Sequence, residues 1–297
     1  MELLRTVAAL RACSDAAHRA GRRVALVPTM GALHEGHLAL VAEARRRADV
    51  VIVSIFVNPT QFAPHEDLAS YPRDLDGDLE KCRDAGADAV FAPAPIDLYP
   101  PGAQTWVEVP GLAEPLCGQS RPHFFRGVAT VVTKLLAAAR ADVAVFGEKD
   151  FQQLQVVRRL ARDLLLGVEI VGVPIAREAD GLARSSRNVY LEPAMRGEAL
   201  ALVRALDTAE AAVTGGECSV AAVLEAVHKE LGRAPHADVD YAELRDPESL
   251  ASLDRIEGAA LLALAVRFPA PRAASGVVRL IDNRVLHPQP APQGGPR

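Results

Sequence analysis

Cysteine is scarce in this chain. The 297 residues include four, Cys13, Cys82, Cys117 and Cys218, far apart and with no C-x-x-C pair. That usage argues against a structural metal site and a disulfide framework, and it fits reduced thiols in a cytoplasmic setting. Positive charge is not in excess either. Lys and Arg total 33 against 38 Asp and Glu, a formal charge of -5. A nucleic-acid surface needs a basic patch, so no nucleic-acid partner is expected. No apolar run approaches the roughly 20 residues that span a bilayer. The start, Met1-Glu2-Leu3-Leu4-Arg5, lacks a signal-peptide pattern. The expectation is a soluble cytoplasmic protein with no membrane partner. Three chemical signatures are missing as well. There is no G-x-x-x-x-G-K-[ST], no G-x-G-x-x-G after the first strand and no G-x-S-x-G. These absences exclude a P-loop enzyme and disfavour NAD binding and an α/β-hydrolase.

What is present is a chain that is 49% hydrophobic, enough for one large or two modest domains. Leu4 to Ala20 reads as an amphipathic helix ended near Gly21, and Val24–Val27 as a buried strand. Gly36 to Arg47 reads as the next helix, with Leu38, Leu40, Val41 and Ala44 on its inner face. Val50 to Val57 is a near-continuous β-branched run, the signature of a strand buried on both faces of a parallel sheet. Further helices are expected over 75–85, around Val128–Leu136 and from Phe151 to Leu164. Further strands are expected at Ala89–Phe91, Asp142–Phe146 and Val168–Ile175, with an edge strand at Trp106–Val109.

Strand and helix alternate through residue 175, which predicts an α/β fold with a Rossmann-like, doubly wound parallel sheet. After Arg177 the pattern changes. Two Ala-rich helices, about 194–214 and 218–232, precede three β-like runs at 239–244, 259–266 and 277–282. The expected domains are 1–176, a smaller α+β C-terminal domain over 177–286, and a Pro/Gly-rich tail, 287–297, that reads as disordered.

Three polar clusters follow predicted buried strands: His34 and His37; Asn58 and Gln61; and Gly147, Lys149 and Asp150 with Gln153. A parallel sheet places all its strand C-termini on one edge, so these clusters should converge. Val27-Pro28-Thr29-Met30-Gly31-Ala32-Leu33-His34-Glu35-Gly36-His37 is a strand-to-helix turn, and a helix start offers free N–H groups and a positive dipole end to phosphate. His34 and His37, one turn apart, read as phosphate contacts, as zinc ligands short of a third partner other than His65, or as ordinary loop residues. Lys149, in a tight turn opening a helix, is a point charge suited to a triphosphate or a solvated partner of Asp150. Gln61 and Gln153 are neutral amides that suit a small polar substrate or the plain surface. Ser185, Ser186 and Arg187 suit phosphate oxygens or cap an exposed linker.

The motifs also carry a resemblance. His34-Glu35-Gly36-His37 resembles the H-x-G-H signature of the nucleotidylyltransferase superfamily, and Arg184-Ser185-Ser186-Arg187-Asn188 resembles its second phosphate-binding loop. With Phe56-Val57-Asn58-Pro59-Thr60-Gln61-Phe62, Tyr71-Pro72-Arg73-Asp74 and Phe146-Gly147-Glu148-Lys149-Asp150-Phe151-Gln152-Gln153, the chain from about residue 20 to 285 resembles the pantothenate synthetase (pantoate–β-alanine ligase) family. The resemblance implies that ATP and (R)-pantoate form pantoyl adenylate and pyrophosphate. β-Alanine then displaces AMP to give pantothenate, a step of coenzyme A biosynthesis. It implies ATP as a substrate, Mg²⁺ as its counter-ion, small-molecule partners and a homodimer. The alternative is another H-x-G-H enzyme, such as a pantetheine-phosphate adenylyltransferase.

By the same resemblance, His37, His34, Lys149 and Arg187 carry the catalysis. Met30, Gly31, His34, His37, Gly147, Lys149, Asp150, Ala176, Arg184, Ser185, Ser186 and Arg187 contact ATP. Met30, Asn58, Gln61, Tyr71 and Gln153 contact pantoate or β-alanine, and Asp78 is a candidate Mg²⁺ contact. Two places depart from the family pattern. Histidine comes one position early in Arg121-Pro122-His123-Phe124-Phe125-Arg126-Gly127, and Gly77 replaces an acid in Asp76-Gly77-Asp78.

Overall fold

The computed structural model describes residues 1–63, 68, 71–273 and 275–288. His65 and tail residues 289–297 lie outside the described residues. The chain divides into two compact units. One comprises Met1–Ala176 with a short return at Arg184–Ser186, and the other Arg177–Ala183 with the chain from Arg187 onward.

The first unit is built on a six-stranded sheet in the order β1-β4-β3-β2-β5-β6. Its strands are β1 (Glu2–Leu4), β2 (Val24–Thr29), β3 (Val50–Ile55), β4 (Ala89–Phe91), β5 (Val143–Gly147) and β6 (Glu169–Val173). All neighbours pair in parallel, Leu26 opposite Ile52 on one side and Ala144 on the other. Ala25, Val27, Val51, Val53, Val143 and Val145 are fully inaccessible, as a sheet covered on both faces requires. The principal helices are α1 (Val7–Arg19), α2 (Glu35–Arg47), α3 (Leu75–Asp84), the four-residue turns α4 (Pro95–Leu98) and α5 (Cys117–Ser120), α6 (Phe124–Ala139) and α7 (Phe151–Asp163). From β2 the chain builds outward through β3 and β4, then crosses to the other side of β2 with β5. The topological switch therefore lies between β2 and β5, the place where doubly wound sheets open a crevice at their carboxyl ends.

Two expectations change here. The helix expected over Leu4–Ala20 spans Val7–Arg19, beginning after Thr6, whose hydroxyl accepts the Ala9 N–H at 3.2 Å, while Glu2–Leu4 pairs as a strand with Ala89–Phe91. Trp106–Val109 is not a strand. Its Val107 N–H donates instead to the Thr130 hydroxyl on α6, at 3.0 Å.

Among its described residues the second unit has the α-helices α8 (Pro193–Ala199), α9 (Ala201–Thr214) and α10 (Val220–Leu231) and a three-stranded antiparallel sheet. Its strands β7 (Asp238–Arg245), β8 (Ala260–Pro269) and β9 (Val277–Leu286) run in that order. The first Ala-rich helix is thus two, divided at Leu200. Leu202, Leu206, Val223, Val227, Leu262, Leu264 and Phe268 form its core. Each such fully buried side chain contributes about 1.5–3 kcal/mol. Arg177 anchors the entry of this unit to β9 through a bidentate pair with Asp282, at 2.7 and 2.9 Å.

Candidate active site

The turn after β2 is shaped by its backbone. Gly31 (φ 85°) and Ala32 (φ 51°) both occupy left-handed conformations. A Cβ on Gly31 would stand 3.0 Å from an Asp78 carboxylate oxygen and 3.2 Å from Ile55, so the position requires glycine. Ala32 bears a left-handed strain of about 1–2 kcal/mol. The turn brings His34 to the N-cap of α2 and His37 into its first turn. The two rings lie 4.1 Å apart between centroids, tilted by 36°.

Their hydrogen bonds define the rings chemically. The Gly36 N–H donates to His34 Nδ1 at 3.1 Å, and the His34 N–H donates to His37 Nδ1 at 3.2 Å. Helix-start N–H groups need acceptors, and here two imidazoles supply them. A ring that accepts at Nδ1 is neutral and carries its proton on Nε2. The electrostatics agree. Burial first, then His34, Lys149 and Lys81, push His37 down to about 3. Burial first, then Lys149, lowers His34 as well. His34 is thus a cap, and both rings are neutral Nε2–H donors. Gly36 makes the cap fit, since a Cβ there would stand 2.9 Å from the His34 ring.

Two neighbouring strand ends join this turn. After β3, Asn58 is buried, and its Nδ2 donates to Gln61 Oε1 and to the Gly127 carbonyl, both at 3.1 Å. Gln61 Nε2 donates in turn to Met30 Sδ at 3.0 Å, linking the β3 turn to the β2 turn. After β5, Gly147 leads into the turn Glu148–Asp150, and Lys149 acts electrostatically on both histidines. Gln153 stands in the first turn of α7. Tyr71 is buried edge-on against Phe62 at 5.9 Å. Past β6, the Ala176 carbonyl accepts the Arg184 N–H at 2.8 Å, and the Arg184 guanidinium pairs with Glu35 of α2 at 2.8 Å. Ser185 and Ser186 belong to this same unit, whereas Arg187 belongs to the second.

One candidate has a different task. Asp78 is 1% exposed, and its carboxylate faces inward. Oδ2 accepts the Ala32 N–H at 2.8 Å and Oδ1 accepts the Leu33 N–H at 2.7 Å. Both oxygens of this buried carboxylate are thus engaged by backbone donors, a geometry that lends the Mg²⁺ reading no support. The described residues contain no group of three His, Cys, Asp or Glu arranged to hold a metal ion, so the zinc reading of the histidines gains no support. His123 is exposed at the N-cap of α6 and makes no side-chain cap.

Four supporting residues escape sequence reasoning. Lys81 Nζ donates to the Leu33 carbonyl at 2.9 Å. Arg121 donates to the Gln61 carbonyl at 3.1 Å. Buried Gln152 accepts the Cys117 N–H at 3.1 Å and donates to the Leu112 carbonyl at 2.9 Å. A Cβ on Gly127 would come within 2.5 Å of the Thr60 carbonyl oxygen. None is a rare residue type in a suggestive spacing; only glycine before an apolar helical run hints at close packing.

The sequence model of the pantoate-β-alanine ligase family matches residues 2–285. Two similar curated proteins are the pantothenate synthetases of Myxococcus xanthus, 54% identical with 96% of each chain covered, and Moorella thermoacetica, 52% identical with 96% of this chain and 99% of that one. Among solved structures, the chain is similar to pantothenate synthetase from Thermus thermophilus, with TM-score 0.89, 45% identity, and 97% and 100% of the two chains covered. It is also similar to the Francisella tularensis pantoate-β-alanine ligase complexed with β-γ ATP and β-alanine, with TM-score 0.77, 30% identity, and 96% and 97% covered.

Proposed function

Since the chain belongs to the pantoate-β-alanine ligase family, we propose that it condenses (R)-pantoate with β-alanine through pantoyl adenylate, at the carboxyl edge of the first unit's sheet. A carboxylate is a poor electrophile. Attack of the pantoate carboxylate on the α-phosphorus of ATP makes a mixed anhydride and expels pyrophosphate. The free amine of β-alanine then attacks the acyl carbon, AMP leaves, and the amine gives up a proton as the amide forms. Catalysis of the first step is positioning together with stabilisation of charge growing on the phosphates.

The observation that carries this reading is the junction of two turns through Gln61 and Met30, beside the neutral histidine pair. Neutral amides at Gln61 and Gln153 suit the hydroxyls and carboxylate of pantoate, with Asn58 and Tyr71 lining that side. His34 and His37 present Nε2–H groups to the phosphates. Lys149 adds a point charge there, and Asp150 suits the ribose. Met30, Gly31, Gly147 and Ala176 approach ATP by backbone, and Arg184, Ser185 and Ser186 supply further donors. Arg187 keeps the phosphate role implied by the family motif. Mg²⁺ belongs to this proposal as the triphosphate's counter-ion, held by phosphate and water, with no protein carboxylate assigned to it.

A homodimer through the first domain and a cytoplasmic location complete the reading; light scattering after gel filtration measures the first. No helix among the described residues is long and apolar enough to cross a membrane. The test of function is incubation with ATP, pantoate and β-alanine. AMP, pyrophosphate and pantothenate should appear in equal amounts and only with pantoate present. Nucleotide retained on a product, or AMP formation indifferent to pantoate, refutes the ligase reading.

A further inference from the structure

We infer that Asp78, seconded by Lys81, is a positioning residue for the His34–His37 pair: together they fix the three successive peptide units from Gly31 to His34. This inference rests on the phosphate role proposed above for those histidines. Asp78 lies in the first turn of α3, 1% exposed. Burying a carboxylate is costly unless its oxygens are engaged, so its partners are informative. They are the N–H groups of Ala32 and Leu33, at 2.8 and 2.7 Å, one to each oxygen. Lys81, one turn further along α3, donates to the Leu33 carbonyl at 2.9 Å. Its ammonium lies 3.8 Å from Asp78 Oδ1. The helix thus holds one side of the loop by donor and acceptor at once.

The grip falls where the backbone is strained. Ala32 has φ 51°, and consecutive N–H groups flanking a left-handed residue converge into a concavity that favours an anion. A carboxylate is the one common side chain that accepts at both oxygens and donates nothing. His34 follows immediately, and its backbone N–H is the group that fixes His37 Nδ1. Release of Ala32 and Leu33 would therefore move both rings: His34 through the chain, and His37 through its lost donor.

The experiment compares Asp78→Asn with wild type at a temperature where circular dichroism shows both folded. The amide sets a donor against one of the two N–H groups. In imidazole proton–nitrogen spectra, His34 and His37 should shift while His18 and His236 stay in place. Those spectra do not depend on turnover, so they test the inference even where the ligase reading fails. In the ligase assay, kcat/KM for ATP should fall about 100-fold, the loss that a misplacement near 1 Å brings. KM for pantoate and the Mg²⁺ concentration giving half-maximal rate should not change. Asp78→Asn added to the double variant His34→Ala, His37→Ala should lose no more than that double variant alone, since both rings through which it acts are gone. Unmoved His34 and His37 resonances, additive losses, or a shifted Mg²⁺ requirement overturn the proposal. If Asp78→Asn does not fold, Lys81→Met, whose side chain is 43% exposed, carries the same comparison with a smaller loss of about tenfold. Unmoved resonances in that variant likewise refute it.

Discussion

Neutrality of His37 can be tested through protein stability. Its ring is held at about 3 in the fold, against an ordinary value of 6.5. The neutral form is favoured in the folded chain, so below pH 6.5 the unfolded chain binds the additional proton. Stability from this group is therefore complete above pH 6.5 and is lost as pH falls from 6.5 toward 3. At pH 5 the ring is about 1.5 units into that window, and each unit is worth about 1.4 kcal/mol, so the loss is about 2 kcal/mol. His34, lowered for the same leading reason, adds in the same direction. Carboxylates such as Asp142 and Asp240, held below their ordinary range, release their contributions only at lower pH, which leaves the interval from 7.5 to 5 to the histidines.

Trp106 is the only tryptophan and lies in the first unit, so its fluorescence reports the unfolding of that unit. Between pH 7.5 and 5 the urea midpoint of the wild type should fall by about 1 M, taking a slope of about 2 kcal/mol per molar. His37→Asn should remove most of that change. Equal pH dependence in the two proteins would refute the neutral, capped imidazole. The catalytic counterpart is kcat/KM for ATP, which follows ionisations of the free enzyme. A neutral Nε2–H donor predicts no decline as pH rises from 6 to 8; a descending limb near 6.5 would mean that an imidazolium acts instead.

Other substitutions separate the remaining roles. Lys149→Ala should lower turnover by about 10²–10³, as other lost electrostatic donors do, and near-normal turnover would make Lys149 a surface lysine. Gln61→Ala should raise KM for pantoate much more than KM for ATP, and equal losses would misplace the pocket. Gly127→Ala sets a methyl 2.5 Å from the Thr60 carbonyl oxygen and 2.8 Å from the Gln61 nitrogen. It should destabilise by about 1–3 kcal/mol in thermal melts and raise KM for pantoate; an unchanged KM would show that α6 does not set Gln61.

These variants also mark what the sequence could and could not disclose. β3 was legible because Val50–Val53 is buried on both faces and leaves a continuous apolar run. β1 was not, because three residues show no period and its partner lies at Ala89–Phe91. Thr105-Trp106-Val107-Glu108-Val109 has strand-like composition, yet a strand is a property of a pair, and the Val107 N–H finds a hydroxyl instead. The histidines, Gln61 and Lys149 stood out because polar residues directly after buried strands need an explanation. Their supports are ordinary residues whose meaning lies in direction. Asp78 showed a charge but not which way it faces, and it faces Ala32 and Leu33. Gln152 and Gln153 are neighbours on α7, about 100° apart around the helix. Composition cannot say that Gln152 is the one fastened to the Leu112–Cys117 segment. The cost of a misplaced support is expressed at the residue it holds, so Asp78 and Gly127 should behave in kinetics like partial losses of His37 and Gln61. Single substitutions would confuse the two ranks; combining each support with the residue it holds separates them, because a residue acting wholly through another adds no loss once that other is removed.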